Sequence, residues 1–252
     1  MNIPADAKVI VERGNKTVYD CGDTIVKLFN DNKPAADVFN EALNLSRINE
    51  TGIASPSIKE VSKVDGAWAL STEKIEGKNL AELMEENPEK RDEYLQLFVD
   101  LQIEINKHSN PMLQRQADKY ARMINGLTCV DATCRYNLLE RLDGMQRKTS
   151  VCHGDLNPSN IIVSEDGTLS VCDWAHATQG CPEADVAMSY LLFALTDREL
   201  ANDYMKLYCK TADMPMQIVR PWLSIVAGAE LARKRGMNTE FLMSWIDVVD
   251  YQ

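Results

Sequence analysis

The sequence lacks a hydrophobic run long enough to cross a membrane. A membrane-spanning helix needs about 18 or more consecutive apolar residues. The longest uncharged, mainly apolar stretch, residues 186–196, lies between Asp185 and Asp197 and falls well short of that length. The first ten residues also lack the basic-then-apolar pattern of a signal peptide, since Asp6 interrupts them. We therefore expect a cytoplasmic protein that makes no membrane contact.

The sequence has few positive charges for its length. Its 252 residues contain 27 Lys and Arg against 38 Asp and Glu, which gives a formal charge of 27 − 38 = −11. Proteins that bind nucleic acid depend on clustered Lys and Arg at the phosphate backbone. Nucleic acid is therefore excluded as the main partner. The length allows one large domain or two small ones.

The sequence also lacks C-x-x-C pairs and the regular cysteine spacing of a disulfide framework. Its seven cysteines are an odd number, and we expect them to be reduced thiols. Cys172, His176 and Cys181 suggest a metal site, but structural zinc usually has four well-spaced ligands. Small buried strand residues are the better interpretation of Cys152 and Cys172.

Strand patterns occupy the first third of the chain and helical patterns most of the rest. Strands are predicted at residues 9–11, 17–19, 24–28, 57–64 and 67–70, with a helix over 34–50. After Gly77, helices are predicted over 79–86, 91–107, 112–125, 131–147, 183–211 and 216–249, with one β-type segment at 151–173. The fold class is therefore α+β, with a small β-rich N-terminal lobe, residues 1–76, and a larger helical C-terminal lobe, residues 77–252.

The β-type segment holds the most informative string, HGDLNPSN at residues 153–160, which fits H-x-D-x-x-x-x-N. Asp173 and Trp174 follow, after two apolar runs that predict a hairpin. In phosphoryl transfer, a loop Asp accepts the proton of the attacking hydroxyl, while an Asn five residues later and a second Asp hold Mg²⁺. Magnesium prefers such oxygen ligands. Turn capping is the alternative for both aspartates, and their joint spacing with Asn160 disfavours it.

A kinase also needs a strand Lys that pairs with a Glu on the next helix. Lys27 lies in the strand-like run 24–29, and Glu41 lies fourteen residues later in the predicted helix. An ion pair between them would hold Lys27 against the α- and β-phosphates. Upstream is a turn where a phosphate-covering loop would lie, with a plain hairpin turn as the alternative. It consists of Gly14, Asn15, Lys16 and Thr17.

These motifs, in this order, resemble the aminoglycoside phosphotransferase and choline kinase-like family, a branch of the protein-kinase-like fold. The string GCPEADVA at 180–187 is similar to that family's G-D-P-x-x-D-L-A segment, and EKIEGKNL at 73–80 looks like its lobe hinge. The resemblance runs nearly end to end. It implies a bilobal protein-kinase-like fold, ATP or GTP as donor, Mg²⁺ as metal, and a small-molecule hydroxyl as acceptor.

The resemblance also implies roles for the matched residues of the β-type segment and of the string after it. Asp155 would be the catalytic base. Asn160 and Asp173 would be the magnesium ligands. His153 would hold the catalytic loop in shape rather than exchange protons, and Asp185 would brace the same loop.

On the nucleotide side, the resemblance implies that Lys27 contacts phosphate with Glu41 as its partner. The turn at 14–17 would cover the phosphates. The backbone of the hinge at about 73–77, which includes Glu73 and Ile75, would pair with the adenine edge.

The sequence departs from the family pattern at three places. No G-x-G-x-x-G precedes Lys27, and Cys181 replaces an acidic residue before the proline. Ala175 stands where the family often has a polar residue, so the surroundings of the second metal ligand differ. His176 and Gln179 are close enough in sequence to compensate.

Acidic residues of the predicted C-terminal helix are speculative contacts to the acceptor. Glu240, Asp247 and Asp250 share one helix face, and an acidic cluster suits a cationic acceptor. A solvated surface is the alternative, because charged residues mostly stay exposed. Asp203 and Glu230 are further candidates. Aminoglycosides, choline-like alcohols, sugars and hydroxyl amino acids all remain open as acceptors, because a fold does not fix its substrate.

Three other functions are less well supported. A protein kinase is disfavoured because Gly154 replaces the Arg of H-R-D and no A-P-E string follows Asp173. A P-loop kinase is excluded by the lack of G-x-x-x-x-G-K-[ST]. A nucleotide-binding pseudokinase that acts as a scaffold is the alternative from another class, and the complete set of polar groups argues against it. The sequence does not indicate an oligomeric state.

Overall fold

The protein is described here from a computed structural model, which covers residues 1–30, 33–233 and 238–246. The chain divides into two compact units: Met1–Glu86 with Pro158–His176, and Asn87–Asn157 with Ala177–Gln252. Strands are concentrated toward the N-terminus and helices toward the C-terminus, which confirms the predicted α+β class. The lobe limits at residues 76 and 77 stay a prediction. The structure adds that the segment 158–176 packs within the first unit.

The elements follow one another along both units. The strands are β1 Lys8–Arg13, β2 Lys16–Asp20, β3 Thr24–Phe29, β4 Ile58–Val64, β5 Ala67–Glu73, β6 Lys78–Asn79, β7 Ser150–Cys152, β8 Ile161–Val163, β9 Leu169–Val171 and β10 Thr178–Gly180. The helices are α1 Ala35–Asn49, α2 Leu80–Glu86, α3 Arg91–Lys107, α4 Gln116–Asn125, α5 Ala132–Asp143, α6 Pro182–Ala194, α7 Arg198–Thr211, α8 Met216–Val219, α9 Trp222–Ala232 and α10 Thr239–Ile246. Short 3₁₀ turns lie at Pro88–Lys90, Pro158–Asn160 and Trp174–His176.

An antiparallel five-stranded sheet forms the first unit, with the strand order β1-β2-β3-β5-β4. The hairpin between β4 and β5 turns at Asp65 and Gly66, whose φ values of 50° and 90° suit a tight two-residue turn. The predicted hairpin at these residues is therefore confirmed. Helix α1 packs on β4 and β5. Its apolar face joins a buried cluster made by Phe29, Val38, Ala42 and Leu70.

The segment 158–176 adds a small sheet to the same unit, in the order β6-β8-β9. Strands β8 and β9 are the two apolar runs of the predicted hairpin, which is confirmed. The amide of Val171 also donates to the carbonyl of Ala54 at 2.9 Å. The hairpin is thereby fixed against the loop that leads into β4.

The second unit is mainly helical, and α6 and α9 are buried along nearly their whole length. Phe98, Phe193 and Tyr204 form an aromatic cluster, with ring centroids 5.1 to 5.5 Å apart. Strands β7 and β10 pair within this unit. None of the helices in the described ranges is both long enough and apolar enough to span a bilayer.

Two predicted helices are wrong as continuous elements. The segment 183–211 is divided into α6 and α7, because Asp197 caps α7 by accepting a hydrogen bond from the amide of Leu200 at 2.9 Å. In the segment 216–249, α8 ends before Pro221, which has no amide hydrogen to continue a helix, and α9 begins after it. Helical periodicity persisted across both breaks, so the pattern did not reveal them.

Replacing Gly77 with Ala should destabilise the first unit. Gly77 has a φ of 146°, and a Cβ atom there would overlap the carbonyl oxygen of Val163. Backbone strain and overpacking each cost about 1–3 kcal/mol, so we expect a loss of about 3 kcal/mol in the free energy of unfolding. Urea unfolding measures it. Gly144→Ala is the control, because a Cβ there meets its nearest atom at an ordinary 3.5 Å. Equal stability of Gly77→Ala and the wild type would contradict the analysis.

Candidate active site

Lys27 and Glu41 meet in the first unit. Lys27 is on the central strand β3, opposite Val18 and Leu70. Glu41 is on α1, on the face that packs toward the sheet, and is only 4% exposed. The Nζ atom of Lys27 lies 2.7 Å from Oε1 of Glu41. The strand and the helix therefore bring this predicted pair together.

Asp173 completes a charge network with two lysines. Its Oδ1 atom lies 3.0 Å from Nζ of Lys27, and its Oδ2 atom lies 3.0 Å from Nζ of Lys16. Asp173 has a φ of 62°, in the left-handed region that Asp tolerates better than most residues. The neighbouring Trp174 is buried and donates from Nε1 to the carbonyl of Val171 at 2.9 Å. This backbone turn aims the carboxylate at both ammonium groups.

The network keeps Lys27 and Asp173 charged. Burial opposes ionisation of Asp173, but the positive charges of Lys27 and Lys16 outweigh it and hold the pKa of Asp173 well below its usual value. Burial likewise opposes the charged form of Lys27, but the carboxylates of Asp173 and Glu41 raise its pKa above the usual value. At neutral pH the first unit therefore presents an ionised Lys27 beside an ionised Asp173.

Asn160 is brought next to Asp173 by the hairpin. The amide of Cys172 donates to the carbonyl of Asn160 at 2.8 Å, and Ile161 pairs with Val171 in the next position. On the other side, Nδ2 of Asn44 lies 3.4 Å from the carbonyl oxygen of Trp174. The two predicted magnesium ligands thus share one short hairpin.

The chemistry of these two side chains fits a magnesium ion. A carboxylate and an amide oxygen are hard ligands, and Mg²⁺ is usually bound by one or two protein groups together with waters and substrate phosphates. Within residues 1–30, 33–233 and 238–246, no cluster of three or more His, Cys, Asp or Glu side chains is arranged to hold a metal by itself. Asp173 and Asn160 would hold magnesium together with phosphate oxygens.

The predicted phosphate-covering loop is a tight turn between β1 and β2. Arg13 pairs with Lys16 across it, and the amide of Asn30 donates to the carbonyl of Asn15 at 3.1 Å. The side chain of Asn30 donates to the carbonyl of Gly14. Lys16 and Thr17 are already in β2, where Lys16 opposes Phe29 and Thr17 opposes Leu28. Only Lys16, of these four predicted residues, is seen to contact the charge network.

The predicted hinge follows β5. The amide of Glu73 donates to the carbonyl of Ser57 at 2.8 Å, and the carboxylate of Glu73 accepts from Oγ of Ser57 at 2.7 Å. The next amide, of Lys74, donates to the carbonyl of Asp23 at 3.2 Å. The amides of Glu73 and Lys74 are already hydrogen-bonded to other parts of the first unit. The backbone groups that pair with an adenine edge would therefore belong to later residues such as Ile75. That pairing stays a prediction.

The loop that carries Asp155 belongs to the second unit. The amides of His153 and Gly154 donate to the carboxylate of Asp185 at 3.1 and 2.6 Å. The amide of Asp155 donates to Nδ1 of His153 at 3.2 Å. Asp185 is fully buried in the first turn of α6, and Asn106 lies 3.4 Å from it. This geometry is what loop support by His153 and Asp185 requires.

Arg233 is the residue at this loop that the sequence did not reveal. Its Nη2 atom donates to the carbonyl of Gly154 at 2.7 Å, and its Nη1 atom lies 3.5 Å from Oδ1 of Asp155. Glu230, a candidate acceptor contact, is instead buried and lies 2.9 Å from Arg233. A Glu and an Arg three residues apart on a helix are too common a pattern to mark a site.

The other sequence candidates lie elsewhere. Glu240 is exposed in the first turn of α10, whereas Asp247 and Asp250 are outside the described residues. Asp203 pairs with Arg91 at 3.0 Å. The side chain of Gln179 donates to the carbonyls of Pro111 and Leu113 at 2.8 and 2.7 Å, which fixes it to a loop of the second unit. Acceptor binding by the acidic residues stays a prediction.

The Asp173→Asn variant should lose less stability than the wild type as the pH is lowered. The pKa of Asp173 is lower in the folded than in the unfolded protein, so its ionisation stabilises the fold fully above about pH 4 and loses this effect as the pH falls through the folded-state value. Thermal unfolding from pH 6 to pH 3 should show a smaller decrease in Tm for the variant than for the wild type. Asp143→Asn, at an exposed carboxylate, is the control and should follow the wild type. An equal decrease in Tm from pH 6 to pH 3 in all three proteins would contradict this prediction.

Comparison with known sequences gives a family match. The sequence pattern of the phosphotransferase enzyme family matches residues 11–218, a range that includes Lys16, Lys27, Asp155 and Asp173. No curated protein matches the chain significantly.

Comparison with solved structures gives the fold. A thermostable mutant of aminoglycoside phosphotransferase APH(4)-Ia has 13% identity and a TM-score of 0.72, with 96% of this chain and 93% of that chain covered. Aminoglycoside-3'-phosphotransferase of type VIII has 17% identity and a TM-score of 0.65, with 88% and 94% covered. APH(3'')-Id from Streptomyces rimosus has 16% identity and a TM-score of 0.63, with 89% and 93% covered. These matches confirm the predicted protein-kinase-like fold, and the match over residues 11–218 shows that the chain belongs to the phosphotransferase enzyme family.

Proposed function

We propose that the protein is a magnesium-dependent small-molecule kinase, which transfers the γ-phosphoryl group of ATP or GTP to a hydroxyl group. The observation that supports this proposal is the network of Lys27, Glu41, Asp173 and Lys16 in the first unit. It brings together, from distant parts of the chain, the lysine that would bind phosphate, its helix partner and the aspartate that would hold magnesium. A structural role alone does not require this combination of groups.

The two lysines would attract the nucleotide to an otherwise acidic chain. A triphosphate is repelled by a net charge of −11, so binding requires a local positive field. Lys27 and Lys16 supply two ammonium groups, and Glu41 keeps Lys27 in place at 2.7 Å. Magnesium, when bound, would neutralise the charge that develops on the phosphate oxygens. Asp173 and Asn160 would hold it.

Asp155 would act on the acceptor. Its carboxylate would accept a hydrogen bond from the acceptor hydroxyl and take the proton as the oxygen attacks the γ-phosphorus in line. The bond from phosphorus to the bridging oxygen breaks, and the nucleoside diphosphate leaves. Because the catalytic loop is fixed at two backbone amides by Asp185, Asp155 would be preorganised for this step.

The acceptor we favour is a cationic, amine-bearing alcohol. One of the similar structures is a ternary complex with ADP and hygromycin B, and another holds ADP and streptomycin. The acidic balance of this chain suits such a substrate electrostatically. Glu240 is the exposed acidic candidate on the described part of the C-terminal helix. Choline-like alcohols and sugars are the next classes to test, and a cytoplasmic location stays a prediction.

A nucleotide-binding pseudokinase is the alternative function. A screen of ATP and GTP consumption against hygromycin B, streptomycin, choline, hexoses and serine would separate the two. Acceptor-dependent release of nucleoside diphosphate supports the kinase. Tight nucleotide binding without product from any acceptor would support the scaffold.

Asp155→Ala should lower turnover while the nucleotide still binds. A general base contributes about 10²–10⁴-fold to the rate, so kcat should fall by about that factor. The Kd for nucleotide should stay within about twofold, because the nucleotide-side groups belong to the first unit. Steady-state kinetics and titration calorimetry measure the two quantities. Wild-type turnover in this variant would reject Asp155 as the base.

Lys27→Ala and Asp173→Ala should weaken nucleotide binding by different routes. Removal of Lys27 takes away a phosphate contact, so the nucleotide KM should rise with and without extra magnesium. Removal of Asp173 takes away a metal ligand, so the lost affinity should depend on magnesium concentration. Calorimetry at two magnesium concentrations distinguishes them. Lys33→Ala, which removes an ion pair with exposed Asp37, is the matched control and should bind as the wild type does.

A further inference from the structure

A buried arginine contacts the catalytic loop from the end of α9. The side chain of Arg233 is 4% exposed, and α9 itself is buried along nearly its whole length. One guanidinium nitrogen donates to the carbonyl of Gly154 at 2.7 Å, and another lies 3.5 Å from the carboxylate of Asp155. A single side chain therefore contacts both the backbone and the reactive group of this loop.

Glu230 makes this placement possible. A buried charge is costly unless it is paired, and Oε2 of Glu230 lies 2.9 Å from Nη1 of Arg233. The side chain of Glu230 is 1% exposed, so both charges are withdrawn from water. Glu230 lies in the last turn of α9 and Arg233 is the residue that ends it, so the helix end fixes their spacing. Helix α9 and Glu230 therefore hold the guanidinium in a fixed position beside the loop.

The peptide groups at Gly154 are held on both sides. Its amide donates to Oδ1 of Asp185 at 2.6 Å, and its carbonyl accepts from Arg233 at 2.7 Å. Gly154 has a φ of 73°, a left-handed conformation that glycine adopts readily. This backbone sets the direction in which Asp155 leaves the chain. Asp185 of α6 therefore holds the amide of Gly154, and Arg233 at the end of α9 holds its carbonyl.

We propose that Arg233, with Glu230 as its counter-charge, is a positioning residue that sets the orientation of the Asp155 carboxylate for proton acceptance. This inference rests on the proposed kinase function. The planar guanidinium of arginine holds its donors in a fixed fork, so it sets the directions of a carbonyl and a carboxylate more rigidly than the rotatable ammonium group of lysine does. Arg233 would act through Asp155 and would leave nucleotide binding to the first unit.

Kinetics of Arg233→Met, Arg233→Lys and Glu230→Gln test the proposal. The probe reaction is magnesium-ATP consumption with hygromycin B, streptomycin or choline. For Arg233→Met we expect kcat to fall by about 10²-fold, the loss that misplacement of a catalytic group by about 1 Å can cause. The ATP KM should stay within about twofold. Arg233→Lys and Glu230→Gln should lie between this variant and the wild type.

Arg141→Met is the control for the loss of an arginine contact with α9, since Arg141 is half-buried and makes its contact away from the loop. Arg141 donates to Oγ of Ser224 on that helix at 3.0 Å and reaches it from α5. This variant should keep its kcat even where its Tm decreases. Wild-type kcat in Arg233→Met, a rise in ATP KM as large as the fall in kcat, or an equal loss of kcat in Arg141→Met would each overturn the proposal.

Hydrogen exchange separates failure of this inference from failure of the proposed function. If the wild type consumes no ATP with any of these acceptors, the kinase proposal fails. The amides of His153 and Gly154 should still exchange faster in Arg233→Met than in the wild type or in Arg141→Met, by about tenfold for one lost hydrogen bond. Unchanged exchange at these amides would overturn the positioning role by itself.

Discussion

The ion pair between Lys27 and Asp173 is the interaction on which the candidate nucleotide site depends. It joins the central strand of the sheet to the hairpin 158–176, two segments that are far apart in the sequence. Glu41 and Lys16 complete the network, so two carboxylates balance two ammonium groups. Buried charges are tolerated when they are paired in this way. Because the network is balanced, the positive field that a triphosphate requires would come from bound magnesium as well as from the two lysines.

Much of this network could be predicted because local periodicity determines it. Lys27 falls on a strand and Glu41 on the inward face of an amphipathic helix, so their spacing of fourteen residues carries structural information. The hairpin that joins Asn160 to Asp173 was equally visible, since two apolar runs flank a turn. The resemblance to a known family then assigned roles to these residues. For these residues, the sequence pattern and the structure agree.

The remaining features depend on long-range packing. Lys16 meets Asp173 across 157 residues, and Arg233 reaches Asp155 across 78. No spacing rule connects such positions, and neither pair stands in a recognisable motif. The two helix breaks were missed in the sequence for another reason. Asp197 and Pro221 interrupt segments whose apolar periodicity continues on both sides, so the periodic signal outweighed the local signals for a cap and a break.

The hairpin that carries Asn160 and Asp173 has a consequence for the order of events in a catalytic cycle. Under the proposed function, Asn160, Asp173, Lys16 and Lys27 would face the nucleotide and belong to one compact unit, whereas Asp155 would be the base and belongs to the other. Nucleotide binding and acceptor activation would then be carried out by residues of separate units. A nucleotide would bind through first-unit residues whether or not an acceptor is present.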